Sequence, residues 1–366
     1  MWQIILPHNL IHFFKSLLYF CFTRINDHKV LFYSPQHFNR EAGGSNNFLK
    51  PLIEINKSKD ISTWVIEEPS YKYNNPRGNM VQFDFIFILI AFLRKVLKGD
   101  FIEKEHKIGK LLGRVFFRNK IEHIIVQSLS MVSFFRGVYP NAKIYDYQHG
   151  IIYKDHPAYS DGRNVPMLIK KNNVNILLFG SGFKKILENF NSYYIEHSLV
   201  IGVNKEKFTQ NVNGEEILIT LQFTEDHTYE ENKKLLKNLQ LFIQENSNHK
   251  FVLKHHPRFN NEINNQELLK YSNVSFTEKP LTDCLKNCKI HATAYSTTIF
   301  EAAVLRIPSV FYSDWKIDIY KNHFNYPINS LNDTLKMYND LQLEVKDWSK
   351  NYYEPLKESL WLNQIQ

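Results

Sequence analysis

Two stretches carry residue types that could do chemistry together: Lys254-His255-His256-Pro257-Arg258 and Tyr295-Ser296-Thr297-Thr298-Ile299-Phe300-Glu301. The first sets two cations and two imidazoles after the apolar run Phe251-Val252-Leu253. That is a strand's carboxyl end, where open α/β sheets bind ligands. Pro257 disfavours helix at His256 and favours an extended backbone there. The second stretch places three hydroxyls where a helix over Ile299–Leu305 must begin. One hydroxyl caps a free amide and the others are left for an anion. A helix N-terminus carries roughly half a positive charge, which makes phosphate the natural ligand. Glu301, one turn inside, is placed to reach a ribose. Taken singly, each stretch is also an ordinary cap or a solvated basic turn. Two such clusters at element ends of one α/β domain favour a shared nucleotide site.

The first half of the chain offers groups that could take a proton. Glu41 lies in the loop that contains Gly43-Gly44-Ser45, Asp146 ends the strand Ala142–Tyr147, and His149 follows in the turn Gln148-His149-Gly150. An imidazole titrates near neutrality and suits a general base. A carboxylate could serve as base or nucleophile. Asp146 lies between Tyr145 and Tyr147 and could instead orient a neighbour, while Asp155 and His156 are further candidates in a polar loop. Gly43-Gly44-Ser45 does not match the phosphate-loop pattern. Gly180-Ser181-Gly182 is an incomplete dinucleotide fingerprint, read either as a backbone approach point near a donor or cleft, or as a plain tight turn.

The Lys254-x-His256-Pro257 element and the Ser296-Thr297-Thr298-x-x-Glu301-Ala302 element resemble the His-Pro and Ser motifs of bacterial GT-B glycosyltransferases. These are the sialyl-, polysialyl- and Kdo transferases of capsule and lipopolysaccharide synthesis, which use CMP-activated sugars. Teichoic-acid polymerases of the CDP-glycerol class carry a similar pair. Gln148-His149-Gly150 resembles the turn of capsule-type enzymes, and His37–Arg40 with Gly43–Ser45 resembles their first loop. The likeness runs from Val30 to Pro308. It implies an α/β GT-B fold, two Rossmann-like domains facing each other across a cleft. It also implies transfer of an acidic 2-keto sugar, such as Kdo or a sialic-acid-like nonulosonate, from a CMP donor to a growing surface glycan. Lys254, His256, Pro257, Arg258, Tyr295, Ser296, Thr297, Thr298 and Glu301 would hold the nucleotide. His149, Asp146 or Glu41 would handle the acceptor proton. No resident cofactor or metal is expected, because helix dipole and cations replace magnesium and no Asp-x-Asp element is placed to bind one.

Three alternatives stand beside this reading. A CDP-glycerol or CDP-ribitol phosphotransferase would share the nucleotide site, but its tryptophan-containing His-Gly-Thr type turn is replaced here by Gln148-His149-Gly150-Ile151. A UDP- or GDP-sugar GT-B enzyme more often uses a basic residue and two glutamates, of which only Glu301 has a counterpart. The last is a non-catalytic peripheral scaffold or nucleic-acid-binding protein.

At 366 residues the chain suits two domains, and its 43% hydrophobic content suffices for substantial cores. The expected division is 1–168 for the acceptor side, 169–340 for the nucleotide side, and a C-terminal helix in 341–366 crossing back to the first domain. Strands are expected at Lys29–Ser34, Ser62–Glu67, Ile121–Val126, Ala142–Tyr147, Asn175–Phe179, Ser198–Gly202, Glu216–Leu221, Lys250–Lys254, Val274–Phe276 and Ser309–Tyr312. Cys21, Cys284 and Cys288 give no disulfide framework, and the last two read as core thiols in a reducing compartment. The net charge of +8 is spread along the chain without a nucleic-acid motif, which fits an anionic membrane surface better than DNA. Asn9–Phe22 is too interrupted to span a bilayer and reads equally as an interfacial amphipathic helix or as a helix packed on the domain. The expected place is the cytoplasm, peripheral at the inner membrane, with a glycan or lipid-linked oligosaccharide acceptor.

Overall fold

Short apolar runs alternating with helical stretches can be satisfied by parallel strands joined through crossover helices, which bury both faces of a sheet. The computed structural model describes residues 7–38, 44–69, 77–78, 81–204, 214–259 and 262–366. The chain divides into two compact units: 1–178, 187–201 and 357–366 form the first, 179–186 and 202–356 the second.

The first unit opens with α1 (Pro7–Phe22), β1 (His28–Ser34), α2 (Lys50–Ser58), β2 (Thr63–Glu67), β3 (Val81–Gln82), α3 (Asp84–Val96) and α4 (Phe101–Phe116). It continues through β4 (Ile121–Val126), α5 (Val132–Val138), β5 (Lys143–Tyr147), α6 (Met167–Asn172) and β6 (Val174–Leu178). Helix α7 (Ser181–Phe190) has residues 181–186 in the second unit and 187–190 in the first, and α8 (Tyr193–His197) leads into β7 (Ser198–Val200). All strands are parallel, in the order β3-β2-β1-β4-β5-β6-β7. The sheet therefore extends past residue 168, where the sequence suggested that the first domain ends. Strands β6 and β7 had read as second-domain strands, because an apolar run does not reveal which sheet it joins.

The second unit contains β8 (Glu216–Thr220), α9 (Tyr229–Glu245), β9 (Phe251–Lys254), β10 (Val274–Phe276), α10 (Leu281–Lys286), β11 (Cys288–Thr293), α11 (Thr298–Val304) and β12 (Ser309–Phe311). Helices α12 (Ile317–Phe324), α13 (Leu331–Lys336) and α14 (Tyr338–Ser349) complete it. Its parallel sheet has the order β10-β9-β8-β11-β12. Helix α9 starts at a full capping box, the Thr228 hydroxyl accepting from Glu231 N while the Glu231 carboxylate accepts from Thr228 N. Cys284 and Cys288 are buried and Cys21 is exposed.

The chain ends in α15 (Glu358–Ile365), which lies in the first unit. There Trp361 is fully buried against Phe32, and its indole N–H donates to Asn56 Oδ1 at 2.8 Å. Gly180 and Gly182 serve the second unit's packing. A Cβ on Gly180 would lie 2.4 Å from the Asn351 carbonyl oxygen, and one on Gly182 would lie 2.5 Å from the Tyr352 ring. These glycines admit the C-terminal segment rather than a nucleotide.

Helices α4 and α5 pack backbone to backbone. A Cβ on Gly109 would stand 2.1 Å from the Phe134 carbonyl oxygen and 2.9 Å from Gly137 Cα. Alanine would raise helix propensity by about 1 kcal/mol, whereas overpacking costs about 1–3 kcal/mol and involves backbone that cannot turn aside. Gly109→Ala is therefore expected to lower the melting temperature. Gly150→Ala, with nothing within 4 Å of the new methyl, should melt as the parent does.

Candidate functional site

In the second unit the chain leaves β8 toward β9 and β10, then returns to the other side of β8 with β11 and β12. Loops after β8 and β11 consequently diverge, and such a reversal opens a crevice at the carboxyl ends of the strands. The candidate nucleotide residues gather around it. Tyr295, just after β11, hydrogen-bonds through its hydroxyl to His227 Nε2 in the loop after β8. Asn232 Nδ2 donates to Thr224 O at 3.0 Å, which turns its Oδ1 toward His227 Nδ1 at 3.2 Å. That network puts the His227 proton on Nδ1 and makes Nε2 the acceptor of the Tyr295 hydroxyl. Burial lowers the His227 pKa and raises that of Tyr295, so both are neutral near pH 7. Trp315 and Lys316, following β12, close over the pair: the Trp315 ring is 4.6 Å from His227, and Lys316 Nζ is 4.4 Å above the Tyr295 ring.

From the loop after β9, Arg258 is paired with Asp226, its Nη1 donating to Oδ1 at 2.8 Å. The Arg258 amide donates to His256 Nδ1 at 3.1 Å, so the neutral His256 ring carries its proton on Nε2. Lys254 closes β9 opposite Thr220 of β8. Pro257 is exposed and Glu301 is half-buried in α11. His255 is a packing residue, stacked 4.5 Å from Phe259 and 4.9 Å from Phe276.

The hydroxyl triplet differs from its sequence reading. Helix α11 begins at Thr298 and has only seven residues, and Thr297 forms no side-chain cap. Ser296 Oγ instead accepts from Thr298 N at 3.2 Å and donates to Thr298 Oγ1 at 3.0 Å. Both side chains are buried, which leaves Thr297 as the exposed hydroxyl of the three. Sequence reasoning missed Asp226, His227, Trp315 and Lys316. The rule that singled out Lys254–Arg258, polar residues after a strand's carboxyl end, applies equally to the loops that carry them.

In the first unit the strand order reverses between β1 and β4. Asn46 bridges that point, its Nδ2 donating to Gln127 Oε1 at 2.7 Å and to Ser34 Oγ at 3.2 Å. His149, after β5, has Nε2 3.0 Å from Ser128 Oγ and its ring 4.9 Å from Phe38. Ser128, Leu129 and Met131 all have positive φ, at 57°, 52° and 60°. Such backbone costs about 1–3 kcal/mol per residue unless its surroundings enforce it. Asp146 supplies part of that enforcement. Its buried carboxylate accepts from Leu129 N at 2.9 Å and from the Tyr159 hydroxyl at 2.9 Å. Desolvation pushes its pKa up to about 7 against those two bonds. Asp146 thus does not face solvent as a cleft base would; it positions the loop that holds Ser128 beside His149. His156 packs edge-on to Tyr153 and tilted against Tyr159, each at 5.2 Å, and Asp155 is exposed. Glu41 lies outside the described residues.

The sheet beneath the second unit's crevice contains a buried imidazole. His291 Nε2 lies 2.8 Å from Thr220 Oγ1 and Nδ1 lies 2.9 Å from Ser309 Oγ, which ties β11 to both neighbours. Burial holds its pKa down at about 3 from an ordinary 6.5. As pH falls through 6.5 the unfolded chain binds a proton there and the folded chain does not, until about 3. Stability that is complete above that window is therefore lost across it. His291→Gln should flatten this acid limb in urea titrations at graded pH. An unchanged slope would place the acid sensitivity in another group.

No protein-family model and no curated protein matches the chain. Solved structures do. A UDP-GlcNAc 2-epimerase from Methanocaldococcus jannaschii, in complex with UDP-GlcNAc and UDP, superposes with a TM-score of 0.56 at 14% identity, over 92% of this chain and 99% of that one. Staphylococcus aureus MnaA with UDP gives 0.57 at 11% identity, over 92% and 96%. A histidine-to-asparagine variant of the wall teichoic acid polymerase TagF gives 0.54 at 13% identity, over 98% and 93%. Likeness at these identities establishes architecture, and with two parallel-sheet α/β units the chain has the GT-B fold.

Proposed function

We propose that the protein is a metal-independent, nucleotide-dependent transferase of surface-polysaccharide assembly. In this reading it moves an acidic 2-keto sugar from a CMP-activated donor to a glycan or lipid-linked oligosaccharide at the cytoplasmic face of the inner membrane. The observation that carries it is the link from Arg258 through Asp226 to the loop of His227 and on to Tyr295 at the strand-order reversal of the second sheet, with His256 in the same loop as Arg258 and Thr297 exposed two residues after Tyr295. His256 Nε2–H and the Arg258 guanidinium would donate to the phosphate that leaves with CMP, and Thr297 would add a hydroxyl. Charge develops on that phosphate oxygen as the anomeric bond breaks, and preorganised donors of this kind stabilise it. His149 would take the acceptor hydroxyl's proton, held in place by Ser128 on the loop that Asp146 anchors. The choice of cytidine rests on the resemblance of the His-Pro and Ser elements.

A second reading has its own support. TagF is similar in fold over nearly the whole of both chains, and one of its structures was soaked with CDPG. A CDP-alcohol phosphotransferase would need the same nucleotide and phosphate contacts. The UDP-bound neighbours make UDP the third ligand to test.

Following the melting temperature with CMP, CDP-glycerol, UDP and GDP separates these readings. A ligand at a hundred times its Kd stabilises by about 2.7 kcal/mol, an easily read shift. CMP is expected to stabilise the protein and His256→Ala to abolish the shift. Stabilisation by UDP alone would overturn the cytidine assignment. His149→Asn should keep the CMP shift while losing transfer by about a hundredfold or more, the usual contribution of a general base. Full transfer activity in that variant would remove His149 from the chemistry.

A further inference from the structure

The surface formed by α1, α3 and α4 is apolar where it meets water. Ser16 and Phe20 of α1 face inward, Ser16 Oγ accepting from Phe85 N at 3.1 Å and Phe20 packing on Phe83 and Phe117. At 100° per residue, the opposite arc carries Leu10, Ile11, Phe14, Leu18 and Phe22, with Lys15 at its border. These side chains are strongly exposed: Ile11 at 59%, Leu18 at 57% and Phe22 at 81%. An ordinary surface helix would carry charges there. Helix α3 repeats the pattern, with Ile86 and Ile90 buried while Phe92 and Val96 are exposed. Phe85 joins the three helices, 5.9 Å from Phe13 of α1 and 5.5 Å from Phe116 of α4. On α4, Gly109 and Gly113 face α5, which leaves Leu111 and Val115 exposed on the flank away from α5. Of the seventeen large apolar side chains exposed among the described residues, ten lie on these helices. That clustering makes one patch rather than scattered residues, and patches of this kind mark interaction sites.

Charge identifies the occupant. Lys107, Lys110, Arg114 and Arg118 are exposed along and just beyond α4, on the side bordering Leu111 and Val115. Lys15, Arg24, Lys95 and Lys98 add four more exposed cations around α1 and α3, against exposed Asp27, Asp100 and Glu103. Asp84 and Glu105 do not offset these, being buried against Arg77 and Arg94 respectively. Apolar side chains bordered by long basic ones suit an anionic bilayer, where the chains enter the acyl boundary and the amines reach the headgroups. Helix α1 has 16 residues, about 24 Å at 1.5 Å each, so it would lie in the interface rather than cross it. Among the described residues no helix is long and apolar enough to cross a membrane.

We infer that α1, α3 and α4 form a membrane-docking face that seats the first unit on an anionic phospholipid surface. This deepens the membrane placement proposed above and does not depend on which nucleotide the second unit binds. The test is co-sedimentation of the full chain with vesicles of phosphatidylcholine, alone or mixed with phosphatidylglycerol. Wild type should pellet with the phosphatidylglycerol vesicles and be largely released by high salt, since each cation near such a surface contributes about fivefold. Phe14→Glu/Leu18→Glu changes only outward side chains, so it should melt as wild type while losing more than tenfold in vesicle affinity. Lys107→Ala/Arg114→Ala/Arg118→Ala should erase the preference for phosphatidylglycerol. Wild type remaining in the supernatant, or wild-type binding by Phe14→Glu/Leu18→Glu, would overturn the inference. So would a wild-type dimer by light scattering that Phe14→Glu/Leu18→Glu dissociates, since the face would then bind a second copy. The CMP shift measured on the same preparations reports on the donor reading separately.

Discussion

The reversal of strand order in the middle of each sheet is the constraint on which the rest of the molecule depends. Parallel strands buried on both faces satisfy their backbone polar groups along their length, so chemistry is confined to their ends. There, loops leaving neighbouring strands normally follow one another to the same side. Only between β1 and β4, and between β8 and β11, do they part. At the first point stand Ser34, Asn46, Gln127 and Ser128, with His149 one strand away; at the second stand His227 and Tyr295.

Both points rely on polar groups enclosed where water cannot compensate them. Asp146 and His291 show two ways of meeting that cost. The carboxylate has two donors, and its burial still raises its pKa to about 7. Its bond to Leu129 N outweighs a mere packing role, because it restrains a backbone with positive φ at three residues. His291 remains neutral between two hydroxyls and links three adjacent strands through side chains as well as backbone. An apolar residue would remove the desolvation cost but leave Thr220 and Ser309 with buried hydroxyls to satisfy, a penalty of similar size.

Much of this was legible in the sequence. The parallel α/β class followed from the alternation of apolar runs and helices, and Lys254–Arg258 and Tyr295–Glu301 were visible because each follows a run of strand character. What escaped has physical reasons. Strand β11, Cys288–Thr293, contains Lys289 and His291 and so lacks an unbroken apolar run, though its interior histidine is satisfied by neighbouring strands. Helix α4 has an inward stripe that includes Glu105 and Gly109, one neutralised by Arg94 and the other required for the approach of α5. His227 meets Tyr295 across 68 residues, a pairing that no local pattern encodes. Sheet membership of β6 and β7 is likewise a property of the partners they find.

Helix α1 shows where reading by periodicity reaches its limit. Amphipathicity assigns the apolar face inward and the polar face outward, which presupposes that water is the only solvent outside. In α1 the inward face includes Ser16, whose hydroxyl takes the Phe85 amide at the open first turn of α3, while aromatic and aliphatic residues point out. The inward position of a serine is stable because the helix start beside it has an unused donor. No comparable hydrogen bond accounts for the outward Ile11, Phe14, Leu18 and Phe22 in water, and each, more than half exposed, forgoes about 1–2 kcal/mol of burial. Scattered residues of this kind are unremarkable on a protein surface, but an arc of five on α1, with Phe92 and Val96 also exposed on α3, is not. The inward face of α1 is fixed by its neighbours in the fold, and on the inference drawn above its outward face would be fixed by a second apolar phase.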